Sequence, residues 1–184
     1  MENAAYWFCE SNNLFLVEGL YDNTNKMWMN ALDTTKRLSM FKETSESINA
    51  DGSAVNKGDG KVGIPITGHG FATGEYIRIQ DSINYDDEYT VDATSTANEV
   101  VITATYVAET FVGTEEIYHG VNGATNITGT YVTQTNGNWQ FIVPAAADLR
   151  DGETFIAYIT LTDGSSTLTI KESRKAIFYP REPY

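Results

Sequence analysis

Cysteine is nearly absent from this chain of 184 residues: Cys9 stands alone, so no internal disulfide can form. A nucleophilic Cys9 would need a histidine partner, and the chain has only His69 and His119. Set beside Tyr6, Trp7 and Phe8, Cys9 reads as a small buried hydrophobe. Two histidines without a third ligand make a poor zinc site. No apolar run approaches the roughly 20 residues of a membrane-spanning helix. The first ten residues have neither a basic segment nor a long apolar one, which predicts no signal peptide and synthesis in a cytoplasm. Basic residues are scarce as well. Twelve Lys and Arg against 25 Asp and Glu leave a net charge of −13, which disfavours general nucleic-acid binding.

Thr, Asn and Gly are plentiful, and there are eleven Tyr. This composition, with charged residues at 20%, predicts an all-β chain. Short β runs are expected at 14–18, 27–29 and 35–42, with helix as the other reading of 31–47. Residues 1–13 read as an irregular arm, and 44–58 have linker composition. Evenly spaced strands then follow at 62–67, 76–80, 89–92, 99–104 and 115–118, a barrel or roll signal. Residues 119–128 read as a second linker. Beyond them Asn136-Gly137 marks a hairpin between 129–135 and 138–143. Further strands are expected at 153–161, 166–172 and 175–179. Pro180 and Pro183 prevent regular pairing of the tail.

The two flanking pieces share a style of hydrophobic strands broken by Asp-Gly or Asn-Gly turns. Together they supply about seven strands, the immunoglobulin-like number. The expected architecture is therefore an immunoglobulin-like β-sandwich, residues 1–58 plus 119–184, interrupted by an inserted small β-barrel or roll, residues 59–118.

Phe15-Leu16-Val17-Glu18-Gly19-Leu20-Tyr21-Asp22, Asn30-Ala31 and Leu38 resemble the opening of small immunoglobulin-like structural proteins of tailed-bacteriophage virions. Gly123-Ala124-Thr125, Thr130-Tyr131, Asn136-Gly137-Asn138-Trp139, Pro144 and Leu149-Arg150-Asp151-Gly152 resemble their second half. In that family a short loop joins the halves; here about sixty residues intervene, matching the placement of the insert. The insert is similar to small barrel modules of phage virion proteins at Gly68-His69-Gly70-Phe71, Gly74, Tyr85-Asp86 and Tyr89-Thr90-Val91. The resemblance implies a non-enzymatic role in the virion, as an accessory of the head surface or neck. It implies no catalytic residue, cofactor or metal. Its partners would be major capsid, neck or tail subunits, in many symmetric copies, with neither nucleic acid nor membrane.

Candidate contact residues follow from surface chemistry. Tyr6, Trp7 and Phe8 form an aromatic cluster in the N-terminal arm. The last fourteen residues carry a net +2 on an acidic body, which offers Arg174, Lys175 and Arg181, with Tyr184, as docking groups. On the insert, His69, Phe71, Tyr76 and Tyr85 are candidates for partner or glycan contact. Tyr106, Tyr131 and Trp139 could also stack on sugars. Gly68-x-Gly70-x-x-x-Gly74 lacks the spacing and the following helix of a phosphate loop. Asp81, Asp86, Asp87 and Glu88 make an acidic loop that matches no Ca²⁺-binding pattern. The rival functions are a tail, baseplate or fibre component with a glycan-binding module, and a glycosidase with two carboxyls about 5–10 Å apart.

Overall fold

The computed structural model describes residues 34–133 and the strand segments 5–9, 14–18, 21–22, 27–28, 138–142, 154–163 and 166–177, with side chains for 37–129, 141–142 and 155–160. All regular structure among these residues is β, in antiparallel pairs. In chain order the strands are β1 (Ala5–Cys9), β2 (Leu14–Glu18), β3 (Tyr21–Asp22), β4 (Met27–Trp28), β5 (Thr34–Ser47), β6 (Val55–Gly58), β7 (Lys61–Pro65), β8 (Tyr76–Gln80), β9 (Glu88–Thr90), β10 (Glu99–Thr103), β11 (Glu116–Gly120), β12 (Ile127–Thr128), β13 (Thr130–Thr133), β14 (Asn138–Ile142), β15 (Thr154–Asp163) and β16 (Ser166–Ile177).

The chain divides into two compact units: Met1–Met40 with Gly123–Tyr184, and Phe41–Asn122. In the first, β1, β2, β14 and β13 form a four-stranded sheet in that order. Its central contact joins sequence-distant strands, with Trp139 opposite Val17 and Phe141 opposite Phe15. The early part of β5 pairs with β12, Leu38 facing Ile127. The long hairpin β15–β16 runs in register from Asp163↔Ser166 to Thr154↔Ile177, with one bulge between Ile156 and Tyr158. Leu38, Met40, Ala124, Phe141, Phe155 and Ile159 are buried. Gly129 gives Phe141 its room, since a Cβ there would meet the ring at 2.6 Å.

The second unit has two layers. One is the three-stranded sheet β10-β7-β6. The other runs from the end of β5 through β11 and β8 to β9. Strand alternation sends Val62 and Ile64, Val100 and Ile102, Ile77 and Ile79, and Ile117 into one shared core. Loop residues Phe71, Tyr85, Val91 and Phe111 join the same core. On the outer side of β7, Gly63 lies beneath the Lys57–Glu99 ion pair at 2.5 Å.

Several expectations change. The strand expected at 35–42 is longer, Thr34–Ser47, and not helix; it runs to Ser47 because polar Glu46 and Ser47 keep their backbone pairing with β11. The linker reading of 44–58 is wrong: Ile48 and Ala54 sit in the core and 55–58 form β6. Polar composition concealed two buried anchors. The second linker reading, 119–128, gives way to the end of β11 and to β12. Residues 5–9 of the expected irregular arm pair with β2, Trp7 opposite Leu16. The two strands expected at 166–172 and 175–179 are one, β16.

Candidate functional site

The Gly68–Glu75 loop is the most densely cross-tied polar region of the second unit. Gly68 and Gly74 have φ of 70° and 80°, so the loop turns where L-residues with side chains are strained. Its side chains and backbone are tied to the Thr96 turn, to β11 and to β5. The His69 ring bonds to the Thr96 carbonyl through Nε2 at 2.5 Å and accepts the Phe71 amide at Nδ1 at 3.2 Å. A carbonyl can only accept, so Nε2 carries the proton and His69 is the neutral Nε2–H tautomer. Phe71 is buried, its ring 5.6 Å from His69 and 4.2 Å from His119.

His119, on β11, has the opposite requirement. Its Nδ1 lies 2.6 Å from Glu75 Oε1 and its Nε2 3.2 Å from Glu46 Oε1. Both partners are carboxylates, so both nitrogens donate when the imidazole is charged. The bond to Glu75 raises the pKa of His119 above its ordinary value; burial opposes this, and Glu46 adds to it. Burial raises the Glu75 carboxyl, but bonds from His119 and the Ala72 amide outweigh it and hold the group low. The same carboxylates seize the loop backbone. Gly70 N–H donates to Glu46 Oε1 at 2.9 Å and Ala72 N–H to Glu75 Oε2 at 2.8 Å. The two carboxylates approach opposite nitrogens of one ring, so they do not converge on a point where a metal ion could sit. No group of three metal-ligating side chains occurs among the described residues.

A second cross-linked region joins residues 82–85 to 107–109. Buried Glu109 accepts Ser82 Oγ and the amides of Ile83 and Asn84, each at 2.9 Å. Tyr85 Oη donates to the Val107 carbonyl at 2.5 Å and accepts the Val107 amide at 2.9 Å. These bonds leave apolar tips in water: Ile83 is 87% exposed, Val107 45% and Tyr106 39%. Glu115 anchors the neighbouring turn by accepting the Val112 and Gly113 amides.

The sequence candidates separate accordingly. His69 and Phe71 come together in the first region. Phe71 and Tyr85 are core residues, so they do not offer their faces to a ligand. The reason is packing: both belong to the buried core cluster formed with the strands. Tyr76 is half-buried, donates to Glu88 at 2.9 Å and stacks 6.2 Å from Phe41. The acidic loop gathers around a buried cation: Arg78 pairs with Asp86 and lies 3.6 Å from Asp87. Tyr6, Trp7 and Phe8 lie on β1, and Arg174 and Lys175 on β16; their side chains fall outside the described residues, as do those of Tyr131 and Trp139. Arg181 and Tyr184 lie outside them altogether. Glu46, Glu75 and Glu109 were not among the candidates. Glu109 did have a signal, being the single charge between Val100 and Thr114. Comparison with known proteins finds no matching family model, no matching curated protein and no matching solved structure.

Proposed function

We propose that this chain is a non-enzymatic structural protein of a tailed-phage particle that acts by docking on neighbouring subunits. The virion assignment rests on the strand-and-turn resemblance. The favoured location is the head surface or neck, with major capsid, neck or tail subunits and further copies of the chain as partners. With it goes the finer fold reading: an immunoglobulin-like sandwich from the outer segments and a small inserted barrel from the middle one. Two observations support that reading. Strands distant in sequence share one sheet in the first unit. The middle segment closes a core of its own.

The observation that carries docking is the pair of cross-linked loops bearing Ile83, Tyr106 and Val107. Exposed apolar side chains on a surface otherwise rich in acid mark contact sites. Loops already held by Glu109 and Tyr85 lose little freedom on binding. The alternative, a tail or fibre component with a glycan-binding module, has weaker support. Phe71 and Tyr85 are buried, which leaves Tyr106 as the exposed ring among the described candidates.

The test is a triple change, Ile83→Ser, Tyr106→Ser and Val107→Ser, in a phage encoding the chain. Wild-type protein is expected in purified particles, and the folded variant is expected to be lost from them. Retention of the variant at wild-type level removes the docking surface. Absence of the wild-type chain from particles removes the virion reading.

A further inference from the structure

We propose that Glu46, Glu75 and His119 form a proton-controlled clasp that holds the Gly68–Glu75 loop closed and releases its Gly70 end when His119 loses a proton. This rests on the geometry of the second unit and is independent of the docking proposal. The essential feature is that one oxygen does two jobs. Glu46 Oε1 accepts from His119 Nε2 and from the Gly70 amide. On deprotonation the imidazole keeps one N–H. The Glu75 contact, 2.6 Å against 3.2 Å, is the shorter and retains it. Nε2 then turns a lone pair on Glu46 Oε1, and two acceptors repel. Glu46 rotates away, and the Gly70 amide loses its partner. Ala72 keeps its partner, because Glu75 Oε2 is untouched. The loop therefore opens from one end.

The surrounding charges define the switch. On β5, Lys42 acts on Glu75, and Glu43 is exposed. On β8, Arg78 is committed to Asp86 and Asp87. On β11 itself, Glu116 accepts from Tyr118. On the loop, the His69 ring is engaged by the Thr96 carbonyl and the Phe71 amide. The sign is fixed by the raised pKa of His119. The clasp is complete below the ordinary histidine value of 6.5 and is lost as pH rises through the higher folded-state value. The charged ring over Phe71 adds a cation–π attraction that ends with the charge. Opening therefore loosens the backbone beside Phe71, whose ring is anchored in the core.

Amide exchange and imidazole ¹⁵N spectra of the full-length protein test this from pH 5.5 to 9. The ¹⁵N pattern of His119 should show both nitrogens protonated at the acid end. After correction for the intrinsic rate, protection of the Gly70 amide should fall with rising pH by up to about tenfold, the range of one net hydrogen bond. Ala72 should stay protected. His119→Gln should make Gly70 protection independent of pH, with the Ile77 and Ile79 amides reporting an intact fold. Should that variant not fold, Glu46→Ala serves in its place, with Gly70 unprotected at every pH and Ala72 still protected. A neutral His119 at pH 5.5, a Gly70 amide indifferent to pH in the wild type, or Gly70 and Ala72 losing protection together would each overturn the clasp.

Discussion

At the scale of single residues, this protein uses carboxylates as backbone anchors. Glu46, Glu75, Glu109 and Glu115 each accept at least one loop amide. An anchored carboxylate replaces the hydrogen bonds that a turn cannot make within itself. Glu109 is the clearest case, since it is buried and receives three donors. Glu109→Ala strands those donors and should lower stability by about 3 kcal/mol, read from the urea midpoint. Glu109→Gln keeps one acceptor oxygen and should cost clearly less. Equal losses for the two variants would mean that volume, not hydrogen bonding, holds the loop. His69 and His119 show the same logic in reverse: neighbouring rings have opposite proton inventories because one meets a carbonyl and an amide, the other two carboxylates.

At the scale of elements, β7 is the central strand of the three-stranded sheet in the second unit. It pairs with β10 on one side and β6 on the other. Its inward residues are fully buried and its outward Gly63 lies under an ion pair. Ile64→Ala should therefore cost about 3 kcal/mol, from lost burial and the cavity left behind. Val55→Ala on exposed β6 should move stability by less than about 0.5 kcal/mol. Chemical denaturation checks both, and a comparable loss at Val55 would show that its face is covered. The positions of β7, β8 and β10 were legible from short apolar runs between turn residues at 62–67, 76–80 and 99–104. Strand β6 was not, because Val55-Asn56-Lys57-Gly58 is exposed and polar and is strand only by virtue of its neighbour.

At the scale of the whole molecule, the interrupted arrangement of two units makes its own claim. The Phe41–Asn122 segment holds an apolar core drawn from both of its layers. Expressed by itself, this segment should fold with dispersed amide resonances and a single cooperative transition. A collapsed or unfolded spectrum would show that the outer segments complete it.

The sequence by itself determined that the chain is all-β and where most strands lie. Those are local matters of alternation and turn chemistry, carried by neighbours two residues apart. It also marked the Gly68–Gly74 turn as unusual. Only the tertiary structure decided what that turn is for. Glu46 and His119 are 73 residues apart, and Glu75 and His119 are 44 apart. No periodicity links such positions; chain folding brings them to one ring. The same holds for Phe71 and Tyr85, whose aromatic character suggested contact with a partner. Burial is a property of what surrounds a side chain, and here the surroundings are strands from both layers of one core.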